Sequence, residues 1–217
     1  MSVLVTAFGP WDGGSNASAA LLAELEARRE DLEAIAGAAV VLELLPVDTV
    51  VAPELLGRLL RTHRPSHALL TGQAAGRNRV TLERLAVNLR DFSIPDSSGA
   101  TIRSLPVVED GPTAYPATWP DLEGAAAAIE DAGIPAGVSS HAGTHLCNQL
   151  LYTALHAAAL GEGPAAAFMH LPLTPAQIIA REPAAERHPN CPHLEPALAA
   201  RAIEILLGRL GASGSPA

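Results

Sequence analysis

Ser2-Val3-Leu4-Val5-Thr6-Ala7, an amphipathic stretch over residues 16–36, and Ala39-Val40-Val41-Leu42-Glu43-Leu44-Leu45-Pro46 decide the fold class. The two flanking runs are short, apolar and rich in β-branched residues, as strands covered on both faces are. Between them Leu21, Leu22, Leu25 and Leu32 fall on one side of a helix, with Glu and Arg on the other. Parallel neighbours need a crossover of this kind. The alternation continues along the chain. Helices are expected over residues 50–63, 119–132, 144–160 and 196–210, and strands over 66–71, 136–140 and 165–171. Residues 80–89 alternate apolar and polar over part of their length and lead to the turn-rich Pro95-Asp96-Ser97-Ser98-Gly99. A three-layer α/β/α sandwich around a mostly parallel twisted sheet follows. One domain is expected over residues 1–210, with a flexible tail over 211–217. The Pro-rich stretch 183–196 comes too late to divide two domains.

The chain has 217 residues, enough to bury a core without a disulfide or metal. All 14 basic residues are Arg, against 23 acids, for a net charge of −9. The absence of Lys excludes Schiff-base lysines, Walker-type phosphate lysines and Ser–Lys dyads. The acidic balance disfavours nucleic acid and fits a cytosolic protein. No apolar run approaches the 20 or so residues of a membrane span. The start, Met1-Ser2-Val3, carries no positive region and is not expected to be a signal peptide. Two cysteines, Cys147 and Cys191, make no disulfide framework.

Ligands of such sheets bind at strand carboxyl ends. Three of those ends are chemically loaded: residues 8–14, the loop Gly72-Gln73-Ala74-Ala75-Gly76-Arg77, and His170. Cys147 follows the small-residue turn Ala142-Gly143-Thr144 near a helix start, where the local positive potential favours a thiolate nucleophile. A buried structural cysteine is the alternative. His170 ends an apolar strand before Leu171-Pro172; it is either a base for the cysteine or a strand-end histidine tied to a carbonyl. Glu83, in an otherwise apolar stretch, either orients an imidazole or pairs with Arg84 at the surface. His188-Pro189-Asn190-Cys191-Pro192-His193 resembles metal-ligand spacing, but zinc wants four ligands or an organised three, so a solvated turn is expected. No phosphate-cradle signature follows Gly76, and a rim for an uncharged ligand fits that loop better.

Five ordered segments resemble the type I pyroglutamyl peptidases, cysteine peptidases that remove N-terminal pyroglutamate. They are residues 3–14, residues 72–77, Glu83-Arg84-Leu85-Ala86-Val87-Asn88 with Ile94-Pro95-Asp96-Ser97-Ser98-Gly99, Ala142-Gly143-Thr144-His145-Leu146-Cys147-Asn148, and Met169-His170-Leu171-Pro172. The resemblance runs from about residue 3 to 210. It implies Cys147 as nucleophile, His170 as base and Glu83 as the group that orients it, with no metal or other cofactor. It also implies the sandwich fold, a cytosolic location and a homo-oligomer, often a tetramer. Phe8, Trp11, Gln73, Ile94, His145 and Leu146 are the expected substrate-binding residues. Four positions depart from the family pattern. Trp11 stands where Phe is common, His145 where an aromatic such as Phe is usual, Ser93 where bacterial members often carry Arg, and Ala17 where a proline often follows Asn16.

The expected activity is therefore hydrolysis of the bond after an N-terminal pyroglutamyl residue, through an acyl-enzyme. The partners are pyroglutamylated peptides, with neither nucleic acid nor membrane. Two alternatives are a catalytically weak binding protein that keeps the pocket, and a nucleoside-phosphorylase-like transferase on a related fold.

Overall fold

The computed structural model of the chain describes residues 2–212. The strands are β1 (Ser2–Phe8), β2 (Ala39–Leu45), β3 (His67–Gln73), β4 (Val80–Glu83), β5 (Leu85–Val87), β6 (Arg90–Phe92), β7 (Ile102–Leu105), β8 (Ala114–Pro116), β9 (Ala136–Ser139) and β10 (Ala165–Leu171). The helices are α1 (Ala17–Glu26), α2 (Arg29–Ala36), α3 (Val51–His63), α4 (Leu122–Asp131), α5 (Leu146–Ala159), α6 (Pro175–Ile179), α7 (Pro183–Arg187) and α8 (Pro196–Ala212).

Six strands form the central sheet in the order β2-β1-β3-β10-β4-β9. The expected sandwich is the observed one. Four strands are parallel, while β4 pairs antiparallel with β10 and β9 lies parallel to β4. Core residues of α3 and α5, among them Leu56, Leu59, Leu150 and Leu155, pack with Leu4, Leu70 and Phe168 on one face. The opposite face is covered by α1, α2, α4 and α8 through Leu21, Leu25, Leu32, Ile129, Ile203 and Leu206. No helix among the described residues is long and apolar enough to cross a membrane.

Several boundaries differ from the sequence reading, each for a local reason. The helix expected over 16–36 is two helices, broken where Arg28 leaves helical geometry at φ −130°, ψ 28°. Its guanidinium joins Glu24 at 3.1 Å and Glu204 of α8 at 3.0 Å, which anchors the break against α8. The stretch 80–89 is also divided: β4 belongs to the central sheet, whereas β5 pairs with β8 in a separate ribbon. The hairpin of β6 and β7 carries too few apolar residues to signal itself. Part of the Pro-rich stretch is helical, because Pro183 opens α7 at a position where its missing N–H costs nothing. Residues 211 and 212, expected in a tail, belong to α8, which runs to Ala212; the rest of that expected tail, residues 213–217, lies outside the described residues.

Two packing features aim the helix that carries Cys147. Asn148, fully buried in its first turn, accepts from Val87 N at 2.9 Å and donates to the carbonyls of Val87 and Leu89, clamping α5 to β5. Gly72 of β3 allows the approach from below: a Cβ there would lie 2.8 Å from Phe168 Cζ and 3.1 Å from Cys147 Sγ. Gly72→Ala should therefore overpack the interface, at a cost of about 1–3 kcal/mol. Thermal unfolding reads this at roughly 2–4 °C for each kcal/mol in a chain of this size. An unchanged Tm would show that α5 is free to shift.

Candidate active site

The antiparallel pairing of β4 with β10 is what builds the polar centre. Its register sets Glu83 opposite Phe168 and Thr81 opposite His170. Glu83 and His170 thus share a face as diagonal neighbours, within reach of a long side chain. Glu83 Oε1 lies 2.8 Å from His170 Nδ1, with both side chains almost completely buried. Contact with the carboxylate assigns the proton to Nδ1 and leaves Nε2 as the basic nitrogen.

His170 pairs across β3–β10 with Gly72, the residue over which Cys147 Sγ packs. The sulfur and the imidazole therefore lie on the same face of the sheet, over the neighbouring strands β3 and β10. The surface alternative for Glu83 does not hold: it is Arg84 that faces outward, paired with Glu123.

The charges follow from burial. Burial pushes the His170 imidazole below its ordinary pKa, against the opposing pull of Glu83. Glu83 is pushed up by burial, but its hydrogen bonds to His170 and Ser139 and the Arg77 charge hold it below the usual carboxylate range. The Cys147 thiol is pushed up to about 12 by burial and the Glu83 charge, with Arg77 and its own backbone N–H opposing. This corrects the expectation of a thiolate favoured by the helix start. Desolvation outweighs the helix potential and favours the neutral thiol. The same helix start offers free donors, because the N-cap His145 makes no side-chain capping bond to the first N–H groups of α5.

Beside the sulfur is a cavity of about 160 Å³. Phe8, Trp11, Gln73, Ile94, His145 and Leu146 all line it together with Cys147. Trp11 is fixed by its indole N–H, which donates to Pro95 O at 2.8 Å. The His145 ring lies 4.0 Å from the Phe92 ring and 5.4 Å from that of Trp11, and its Nε2 is 3.3 Å from Ile94 O. Burial lowers its pKa, so the wall is an uncharged aromatic one despite the departure from Phe.

Gln73 is more committed than its sequence suggested. Its Oε1 accepts from Ala17 N at 2.9 Å and from Gln177 Nε2 at 2.8 Å. Only its Nε2 is left to serve a ligand, as no partner for it appears among the described residues. Gln177, buried in a capping box with Thr174, also reaches Ser15 O, while Glu182 accepts from the Ser15 N–H and hydroxyl. The 8–15 loop and the α6–α7 segment are thereby joined over the cavity.

Sequence reasoning missed Asn16, Val47, Ala184, Arg187 and His188 in the lining. The cap position of Asn16 before α1 was a usable signal; the α7 residues gave none. His188 packs under Gly76, whose Cβ would meet its Nδ1 at 3.2 Å, and no group of three or more His, Cys, Asp or Glu that could hold a metal ion occurs among the described residues.

The model of the family described as pyroglutamyl peptidase matches residues 1–206. A pyrrolidone-carboxylate peptidase of Chromobacterium violaceum is 42% identical, covering 87% of this chain and 82% of the relative. One of Deinococcus radiodurans is 39% identical, covering 99% and 96%. Among solved structures, pyrrolidone carboxyl peptidase of Fervidobacterium islandicum superposes with a TM-score of 0.88 at 30% identity, covering 98% of this chain and 99% of that one. A Pyrococcus furiosus mutant enzyme gives 0.87 at 32%, with the same coverage. With sequence and fold in agreement along nearly its whole length, the chain belongs to the pyroglutamyl peptidase family.

Proposed function

We propose that this chain hydrolyses the bond between an N-terminal pyroglutamyl residue and the next residue of a peptide, with Cys147 as nucleophile, His170 as general base and acid, and Glu83 as the group that orients the imidazole. The single observation that carries the reading is the buried Glu83–His170 contact, one strand away from a cysteine that opens on an apolar cavity. Family membership over residues 1–206 leaves the phosphorylase-like alternative without support. The cytosolic location and homo-oligomer implied by the resemblance belong to the same proposal.

The mechanism starts from a neutral thiol. His170 Nε2 takes the thiol proton as sulfur attacks the pyroglutamyl carbonyl. Charge separates only while the carbon–sulfur bond forms, since a free buried thiolate is too costly here. Glu83 stabilises the imidazolium and holds its tautomer. The uncapped N–H groups at the start of α5 receive the oxyanion. His170 then passes its proton to the leaving amine, and water, deprotonated in turn by His170, releases pyroglutamate from the thioester.

Recognition matches a neutral lactam. Phe8, Trp11 and His145 give uncharged ring-bearing walls, and Gln73 Nε2 donates to the lactam carbonyl. A free α-ammonium would lose its hydration there without a partner. Proline, which has the ring but no carbonyl, would leave the Gln73 donor unpaired, at a cost of about 1–3 kcal/mol.

Cys147→Ala and His170→Ala should each remove nearly all hydrolysis of a pyroglutamyl-aminocoumarin substrate with the fold intact by circular dichroism. Turnover retained by Cys147→Ala would remove the proposed nucleophile. Gln73→Glu keeps the acceptor for Ala17 N and Gln177 but removes the donor. It should raise KM for the pyroglutamyl substrate by about tenfold, the equivalent of one lost buried hydrogen bond. A KM left unchanged would take Gln73 out of lactam recognition.

A further inference from the structure

Arg77 ends the loop after β3 and touches two parts of the site that are far apart in sequence. Its Nη1 reaches Glu83 Oε1 at 2.7 Å, the same oxygen that faces His170. Its Nη2 donates to the His141 carbonyl at 2.9 Å, in the turn that leads to α5. The Thr81 hydroxyl fills the corner between guanidinium and carboxylate. Glu83 Oε2 is buried with no hydrogen-bond partner among the described residues, which leaves the contacts at Oε1 and the nearby Ser139 hydroxyl to stabilise the carboxylate.

We propose that Arg77 is a positioning residue for the Cys147–His170–Glu83 relay, its guanidinium keeping Glu83 ionised behind a neutral imidazole and tying that carboxylate to the turn before the nucleophile helix. The inference rests on the relay reading above and deepens it.

A charge count supports it. At rest the thiol and the imidazole are neutral, and Glu83 and Arg77 balance each other. Moving the thiol proton to His170 adds one negative and one positive charge, so the total stays at zero throughout. Without the guanidinium the cluster carries an unbalanced negative charge in a dry interior, and it would take up a proton to remove it. Glu83 from β4 and Arg77 and His141 from the loops act on His170, and Cys147 from α5 packs over Gly72, the β3 partner of His170. His141, when protonated, acts on the imidazole in the same sense as Arg77. Removing a positive charge raises the proton affinity of every group it faces. His170 would then stay protonated, and useless as a base, to a higher pH. A guanidinium that served only as a strut would cost stability or rate alike at every pH.

The test is kcat/KM against pH for the wild type, Arg77→Gln and Arg77→Lys, with circular dichroism to check the fold. Arg77→Gln should lose about tenfold or more at the acid edge, since a contacting opposite charge is worth about 1–3 pKa units, and much less on the alkaline plateau. Arg77→Lys restores the charge and should return the acid edge to its wild-type position, with a lower plateau because one ammonium does not span both acceptors. An acid edge unmoved in Arg77→Gln, or a loss equal at every pH, overturns the proposal. Should Arg77→Gln not fold, Arg77→Lys decides: an edge displaced to alkaline pH despite the retained charge overturns it, and an edge left in place supports it. Cys147→Ala serves as the control. If it is inactive and the Arg77→Gln edge is unmoved, the Arg77 role alone fails; if it turns over substrate, the relay itself fails.

Discussion

The contact between Glu83 and His170 exists because β4 runs against β10. That reversal brings residues 83 and 170, 87 positions apart, to one face at diagonal spacing. A buried carboxylate is tolerated only with partners, and the sheet supplies them in three directions. His170 comes from the neighbouring strand, Arg77 from the loop after β3, and Thr81 from the same strand two residues back. The rest of the site is arranged outward from this pair. Gly72 has no side chain because the sulfur must approach β3 beside His170. Asn148 is spent wholly on backbone groups because the first turn of α5 must not rotate.

The same burial sets the chemistry. A surface cysteine–histidine pair can rest as thiolate and imidazolium. Here desolvation favours the neutral form of both groups, with the thiol pushed up to about 12. In the proposed mechanism nucleophilicity then has to appear during attack, when substrate has covered the site and the oxyanion donors are engaged. The cavity obeys the same economy of charge. Rings and aliphatic groups make up most of its walls, Arg187 at its edge is paired with Asp12, His145 is neutral, and Gln73 presents one donor after its acceptor has been used to hold the α1 start. A neutral five-membered lactam suits such a site.

Much of this was legible in the sequence, and the gaps have physical causes. The β1–α1–β2 run announced the sandwich because strands covered on both faces are continuously apolar, a pattern that survives errors of a residue or two at their ends. The six positions expected to bind substrate were picked as neighbours of motifs, and the fold gathers them round one cavity. The direction of β4 was not legible, since alternation reports which faces are covered and not which way a strand runs. The state of the thiol was misread for a similar reason: a helix start is visible in local sequence, but desolvation comes from packing against distant strands, among them Gly72 of β3. Arg77 stood in a quoted motif without a role, because its partners Glu83 and His141 lie six and 64 positions away. The α7 wall residues had no local signal, since their place over the cavity is fixed by Glu182 and Gln177 bonding to the 8–15 loop.

Acid quenching during turnover of a pyroglutamyl ester, followed by peptide mapping in the mass spectrometer, examines the proposed covalent step directly. A pyroglutamyl thioester on the peptide that holds Cys147, with Cys191 unmodified, is the expected result. The acyl group on Cys191, or hydrolysis at full rate with neither cysteine ever acylated, would contradict it.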